Sequence, residues 1–137
     1  MKPFTRAWLA MTVALAAHVT DEALTGFLAV YNPIVLAARD RWPWFPMPTF
    51  TFGVWITGLI TLVIVLLAMT TLAERGAMLA RVLAYPFAIL VGILNGCGHI
   101  GASIYVGRWM PGTTTAPIIL ACGVWLLYAA FRPWSID

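Results

Sequence analysis

The sequence predicts an all-α fold, a bundle of four transmembrane helices, and its overall composition is the first reason. Of the 137 residues, 62% are hydrophobic and only 9% are charged, and the mean hydropathy is +0.91. Soluble domains have about 45–50% apolar and about 25% charged residues, so the chain falls outside that class. The charged residues stand singly or in pairs between long apolar runs, an arrangement that separates membrane spans. We therefore expect one integral membrane domain over residues 1–137.

The first predicted span covers residues 7–36, which is more than the roughly 20 residues that cross a bilayer. It should tilt, bend or break, and Pro33 is the expected position of a kink or an end because proline lacks a backbone donor. The basic start and the short apolar run that follows it also resemble a leader peptide. Because the apolar pattern resumes after Glu22, we interpret the segment as a span.

The other three predicted spans cover residues 50–73, 82–106 and 115–131. Residues 39–50 connect the first two spans, since their three prolines prevent a regular helix and their tryptophans suit a membrane interface. The second span contains no ionisable residue, whereas the third contains the polar stretch NGCGHIGAS. A loop with proline and glycine turn signals precedes the short fourth span.

The eight Lys and Arg residues predict the orientation of the chain. Four spans place both termini on the side of the turn at residues 74–81, and that side has the majority of the cations: Lys2, Arg6, Arg75, Arg81 and Arg132, against Arg39, Arg41 and Arg108. The positive-inside rule therefore favours cytoplasmic termini in a multi-pass membrane protein. Because these cations are scattered along the chain, we do not expect it to bind nucleic acid. The expected partner is the lipid bilayer.

A first polar cluster interrupts the first span. His18 and Glu22 are four residues apart, so their side chains share one face of a helix, and Asp21 lies beside them. Ionisable side chains at membrane depth are costly and usually face the interior of a bundle. We therefore expect this stripe to point inward.

The third span carries a second polar cluster with the same spacing, formed by Asn95 and His99. Gly92 and Gly96 lie on the same arc and form a GxxxG pair, which allows another helix to approach closely. Counted along helices with a rise of about 1.5 Å per residue, the two clusters reach within about one turn of the same level. We predict one composite site that contains His18, Asp21, Glu22, Asn95 and His99.

These residues also carry a resemblance to a known family. The stretch HVTDE at residues 18–22 resembles the motif of the HXXEE family of small bacterial and archaeal integral membrane proteins, with Asp21 in place of the first glutamate. The later NGCGH at residues 95–99, followed by Ser103, Arg108, Pro111 and Gly112, resembles the second motif region of that family. The resemblance implies a location in a bacterial cytoplasmic membrane and a site at these positions. It implies no particular reaction, since the family has no established activity.

Two chemical hypotheses assign all five residues to catalysis in an intramembrane enzyme that acts on a lipophilic small molecule. In the first, His18, Glu22 and His99 bind a divalent metal, zinc or iron, because imidazole and carboxylate groups on the helices of a bundle suit these ions. In the second, the histidines and carboxylates move protons without a metal. Asn95 would then orient a water molecule or stabilise an oxyanion.

Two non-enzymatic hypotheses remain open on the sequence. The polar residues resemble the chains of His, Asp and Glu that form proton or ion relays in membranes. They are equally suited to joining helices in an accessory or assembly subunit, through interhelical hydrogen bonds of about 1 kcal/mol each. Both hypotheses suit a homo-oligomer or a larger membrane complex.

The predicted orientation can be tested with reporter fusions. A fluorescent protein fused at the C-terminus should fluoresce, because it folds in the cytoplasm. Alkaline phosphatase fused after Arg108 should be active, because the predicted 107–114 loop lies on the opposite side. The reverse pattern of activities would show that the chain has the opposite orientation.

Overall fold

The computed structural model describes residues 1–132, and every regular element among them is helical. The predicted helical class is therefore confirmed for these residues. The elements follow one another along the chain as α1 (Pro3–Thr25), α2 (Phe27–Arg41), α3 (Phe52–Ala68), α4 (Thr70–Glu74), α5 (Met78–Pro86), a π-helical segment (Phe87–Leu94), α6 (Asn95–Val106) and α7 (Ala116–Phe131).

Two continuous helical stretches within residues 1–132 are long and apolar enough to cross a membrane. They are Phe52–Arg75, with 24 residues, and Met78–Val106, with 29 residues. The bent pair α1–α2 gives a third span if its two helices count as one. Helix α7 is apolar but has only 16 residues. The fold is thus that of a membrane protein, while the fourth span and the side of the termini remain predictions.

The first span breaks at Gly26, and the helix end predicted as one outcome at Pro33 is wrong. Gly26 has φ +79°, a left-handed conformation that glycine adopts without a steric penalty, and its N–H donates to the carbonyl of Glu22. The chain turns by 82° at this point, whereas α2 continues as a helix through Pro33. The site residues of the first cluster therefore lie in the last two turns of α1.

Helix α1 is the centre of the packed core. Trp8 and Met11 are completely buried, and the indole of Trp8 contacts the ring of Phe87 edge-on at a centroid distance of 5.5 Å. The Trp8 Nε1–H donates to the carbonyl of Leu66 at 2.9 Å, so the buried indole has its hydrogen-bond partner. Alanines that are fully buried surround this centre and allow close helix contacts: Ala7, Ala73, Ala80, Ala84, Ala88 and Ala130.

The predicted GxxxG pair does allow a close helix approach, and the helix that approaches is α7. A Cβ added at Gly92 would lie 2.6 Å from Gly123 Cα, and one added at Gly96 would lie 2.9 Å from the carbonyl oxygen of Ala116. Side chains at these positions would therefore force the backbones apart. This contact fixes α7, and with it the 107–115 loop, against the helix that carries His99.

A π-helical segment separates the beginning of the third span from its polar cluster. It runs from Phe87 to Leu94 and leads directly into α6 at Asn95. Its hydrogen bonds are of the i→i+5 type, so the chain advances with more residues per turn than in an α-helix. Within the third span, ideal α-helical spacing therefore applies only to α6.

We predict that Gly92→Ala destabilises the protein. The new methyl group would overlap backbone atoms of Gly123, and overpacking of this kind costs about 1–3 kcal/mol. Thermal unfolding in detergent, followed by circular dichroism, should show a lower Tm. Gly101→Ala is the matched control, because its Cβ would meet no atom within 4 Å. Equal Tm values for the two variants would contradict the close contact.

Candidate metal centre

Three side chains from the two predicted clusters meet inside the protein. Glu22 Oε1 lies 3.0 Å from His99 Nε2 and 3.6 Å from His18 Nε2. The three ligand atoms all lie within 4.8 Å of one another. His18 is completely buried, while Glu22 and His99 are 5% and 9% exposed. The clusters therefore do meet at one level, as their positions along the spans predict.

The other ring nitrogen of His99 determines how this imidazole faces the cluster. Nδ1 lies 2.7 Å from the carbonyl oxygen of Pro111. A carbonyl oxygen only accepts hydrogen bonds, so Nδ1 is the donor and holds a proton. In a neutral imidazole the Nε2 atom then has a free lone pair, which points towards Glu22.

The imidazole of His18 is oriented through Thr115 and Asp21. Thr115 Oγ1 donates to Asp21 Oδ2 at 3.0 Å, while its distance to the Gly112 carbonyl is 3.4 Å. Since the hydroxyl has one proton, it accepts from His18 Nδ1, which lies 2.8 Å away. His18 Nε2 is therefore left with a lone pair, as in His99.

Asp21 has a position of its own at the beginning of α7. Its Oδ2 also accepts from the backbone N–H of Thr115 at 3.1 Å. Negative charge is favourable at the N-terminus of a helix, where unpaired N–H groups and the helix dipole meet it. Asp21 thus lies outside the group of three and acts on it through Thr115.

With both histidines neutral, the two Nε2 atoms and the Glu22 carboxylate bring three electron-pair donors to one point, and the 3.0 Å between Glu22 Oε1 and His99 Nε2 is also a hydrogen-bond distance. His18 Nε2 is buried and has no hydrogen-bond partner among residues 1–132. Buried polar atoms in proteins almost always have a partner, so this one needs an explanation. A cation bound between the two Nε2 atoms and Glu22 Oε1 would satisfy all three at once. The group fits the ligand set of a metal ion.

Gly112 leaves the space in which His99 and Glu22 meet. It has φ +81°, and a Cβ at this position would lie 2.8 Å from His99 Nδ1 and 3.1 Å from Glu22 Cγ. Both the backbone conformation and the space therefore require glycine.

Hydrogen bonds to α6 hold the loop that contains Gly112. Ser103 Oγ accepts from Met110 N at 3.0 Å and lies 2.6 Å from Thr113 Oγ1. These hydrogen bonds hold the 107–115 loop over the cluster.

Asn95, the fifth predicted residue, lies one turn from His99 and does not touch the group of three. Both side chains line a cleft of about 270 Å³ between α2 and α6. Most of the lining is apolar. Asn95 is half-buried, and its amide has no hydrogen bond to the described residues. The structure thus places Asn95 in an adjoining cavity.

Sequence reasoning missed one residue of this arrangement and left one possibility open. Thr115 was predicted only as the beginning of the fourth span, although its hydroxyl joins His18 to Asp21. The role of Arg108, a residue of the second motif region, was left open, and the structure shows it exposed and without an ion pair to the buried carboxylates in residues 1–132. A threonine at a helix start gives no signal of such a role.

The comparison with protein families agrees with these positions. Residues 8–126 match the family described as a protein of unknown function with HXXEE motif. The chain belongs to the HXXEE family. The predicted resemblance is therefore confirmed, and the matched region includes all residues of the cluster and its supporting loop. No curated protein and no solved structure matches this HXXEE protein.

We predict that Thr115→Val destabilises this HXXEE protein by about 1–3 kcal/mol. The nearly isosteric change removes the hydroxyl between His18 Nδ1 and Asp21, and a buried donor without a partner has a cost of this size. The free energy of unfolding in detergent measures the effect. In Thr61→Val, the matched control, the lost hydroxyl bonds only to the carbonyl of Thr57 in its own helix, so a much smaller change is expected. Similar losses in both variants would rule out the connecting role of Thr115.

Proposed function

We propose that this HXXEE protein is an intramembrane enzyme that uses a divalent metal, zinc or iron, to act on a lipophilic small molecule. The observation that carries the proposal is the convergence of two imidazole lone pairs and a carboxylate oxygen at one buried point. The unpartnered Nε2 of His18 favours a metal over a proton, since one proton between Glu22 and His99 would leave this atom unsatisfied.

The donor set fits a catalytic centre better than a structural one. Structural zinc sites have four protein ligands, whereas catalytic zinc sites have three and keep one position open. Two histidines and one glutamate form a zinc set of the catalytic kind, and two histidines with one carboxylate also bind catalytic iron. When bound, either ion would supply Lewis acidity and activate water. His18, Glu22 and His99 would be its ligands.

The residues around the ligands have the functions expected of supporting groups. Pro111 and Thr115 accept from the Nδ1 atoms of the two histidines and so fix the tautomers that present Nε2 inward. Metal-bound histidines in proteins usually have such a partner on the second nitrogen, and losing it typically costs 10–100-fold in metal affinity or activity. Asp21 strengthens this orientation of His18 through the Thr115 hydroxyl.

The surroundings of the cluster support a lipophilic substrate. His99 belongs both to the group of three and to the wall of the cleft between α2 and α6. Small-molecule sites in proteins are mostly apolar cavities with a few polar groups that determine orientation. A substrate in this cleft, which Met110 and Pro111 of the 107–115 loop also line, would reach the ligand group from the side of His99.

Metal content tests the proposal directly. The detergent-purified wild-type protein should contain about one zinc or iron ion per chain by elemental mass spectrometry. Replacement of any one ligand, as in His18→Ala, Glu22→Gln or His99→Ala, should remove it. Glu74→Gln is the matched control, because the side chain of this glutamate is not part of the group of three and lies beside the chain's N-terminus, 3.7 Å from the Met1 amino group. Added metal should also stabilise the metal-free wild type, by about 2.7 kcal/mol when the free metal concentration is a hundred times Kd. Its Tm should rise accordingly.

The same measurements identify the alternatives. A folded wild-type protein that binds neither zinc nor iron would contradict the metal-assisted reaction and leave the acid–base version, the relay or the assembly subunit. A double variant, His18→Ala with Glu22→Gln, that fails to fold or to enter its complex would favour the structural function. Metal bound by the wild type and absent from a folded Glu22→Gln protein would support the proposal.

A further inference from the structure

The cleft beside the cluster has walls of very different character. On one side, Phe27 of α2 stacks with Tyr31 at a centroid distance of 5.3 Å and with Trp55 at 5.9 Å. On the other side, α6 presents Gly98, which has no side chain, and Ala102, which has only a methyl group, so the space stays open. The volume of about 270 Å³ is slightly below the roughly 300–1,000 Å³ of typical ligand pockets. A cleft of this volume has room for a single hydrocarbon chain or a small ring.

The lining of the cleft carries no Asp, Glu, Lys or Arg among the described residues. A charged headgroup would therefore be desolvated in this cavity without a partner of opposite sign, which is unfavourable at membrane depth. The cleft is suited to an uncharged ligand.

Asn95 supplies the polar group that is free to bind such a ligand. Tyr31, the polar side chain of the aromatic wall, already donates its hydroxyl proton to the carbonyl of Pro48 at 2.9 Å. The carbonyl of Pro111 is likewise occupied by His99 Nδ1. Asn95 and His99 are four residues apart on α6, so their Cβ atoms are about 5–6 Å from each other. One small polar group would reach both the Asn95 amide and the space in front of the metal ligands.

We propose that the cleft binds an uncharged single-chain amphiphile through its carbonyl group, and that Asn95 positions this carbonyl beside the metal ligands. The inference rests on the proposed function and adds the substrate class to it. A carbonyl oxygen has the two lone pairs that the site requires, one for the N–H of Asn95 and one for the Lewis acid. The aromatic wall formed by Phe27 and Tyr31 then contacts the hydrocarbon chain.

Photolabelling with three probes of equal chain length tests the inference. The probes are a long-chain methyl ketone, the matching carboxylate and the matching alkane, each with a diazirine on the chain. In lipid nanodiscs, the ketone should label α2 and α6 of the wild-type protein and should half-saturate at about a tenfold lower concentration than the other two. Equal labelling by the three probes, or preferred labelling by the carboxylate, would overturn the inference.

Two variants assign the preference to Asn95. Asn95→Leu keeps the volume of the side chain and should lose the preference for the ketone over the alkane. Cys97→Leu introduces the same side chain at an exposed position outside the cleft lining and should retain the preference. A preference that survives in Asn95→Leu would also overturn the inference.

Metal analysis of the same samples separates this inference from the proposed function. Metal-containing Asn95→Leu protein that has lost the ketone preference supports both proposals. Metal-containing protein with no preference for the ketone in the wild type contradicts the carbonyl assignment alone. Wild-type protein without metal contradicts the proposed function.

Discussion

The contact of Glu22 with two histidines is the interaction on which the rest of this structure depends. A charged side chain at the centre of a membrane helix costs about 2.5–3.5 kcal/mol on insertion scales. Glu22 is almost completely buried, and its ionisable neighbours among residues 1–132 are His18 of its own helix and His99 of α6. The two hydrogen bonds that fix the histidine tautomers direct lone pairs at the same carboxylate. A cation between these groups would offset this cost, and the fold places His18, Glu22 and His99 around one point.

The packing of α7 explains how that cluster is held. Contact between Gly92 and Gly123 brings α7 against the helix that carries His99, and the loop before α7 then passes over the cluster. From this loop, the Pro111 carbonyl orients one histidine and the Thr115 hydroxyl orients the other. Gly112 leaves the necessary space between them. The small residues that let helices approach in a membrane thus also set the distances between His18, Glu22 and His99.

The sequence predicts the meeting of the two clusters because it depends on simple helical geometry. The i, i+4 spacing of His18 and Glu22 places both on one face, and the depth of His99 follows from counting residues along the third span. Other features depend on tertiary contacts and have no local signal, such as the role of Thr115 and the π-helical segment. The break at Gly26 shows a competition between two helix-breaking residues. Glycine ends α1 by adopting positive φ, whereas Pro33 is accommodated within α2.

Interhelical hydrogen bonds contribute too little energy for helix pairing to be the main function of such a cluster. Hydrogen bonds between membrane helices average about 0.6 kcal/mol, and rarely exceed 1.7 kcal/mol. The Gly92–Gly123 contact and the core around Trp8 already join the same helices without any ionisable group. A buried glutamate facing two imidazole lone pairs adds cost to that packing until a cation binds. Because His99 also faces an apolar cleft, the bound cation would stand next to a cavity for a ligand, as catalysis requires and helix pairing does not.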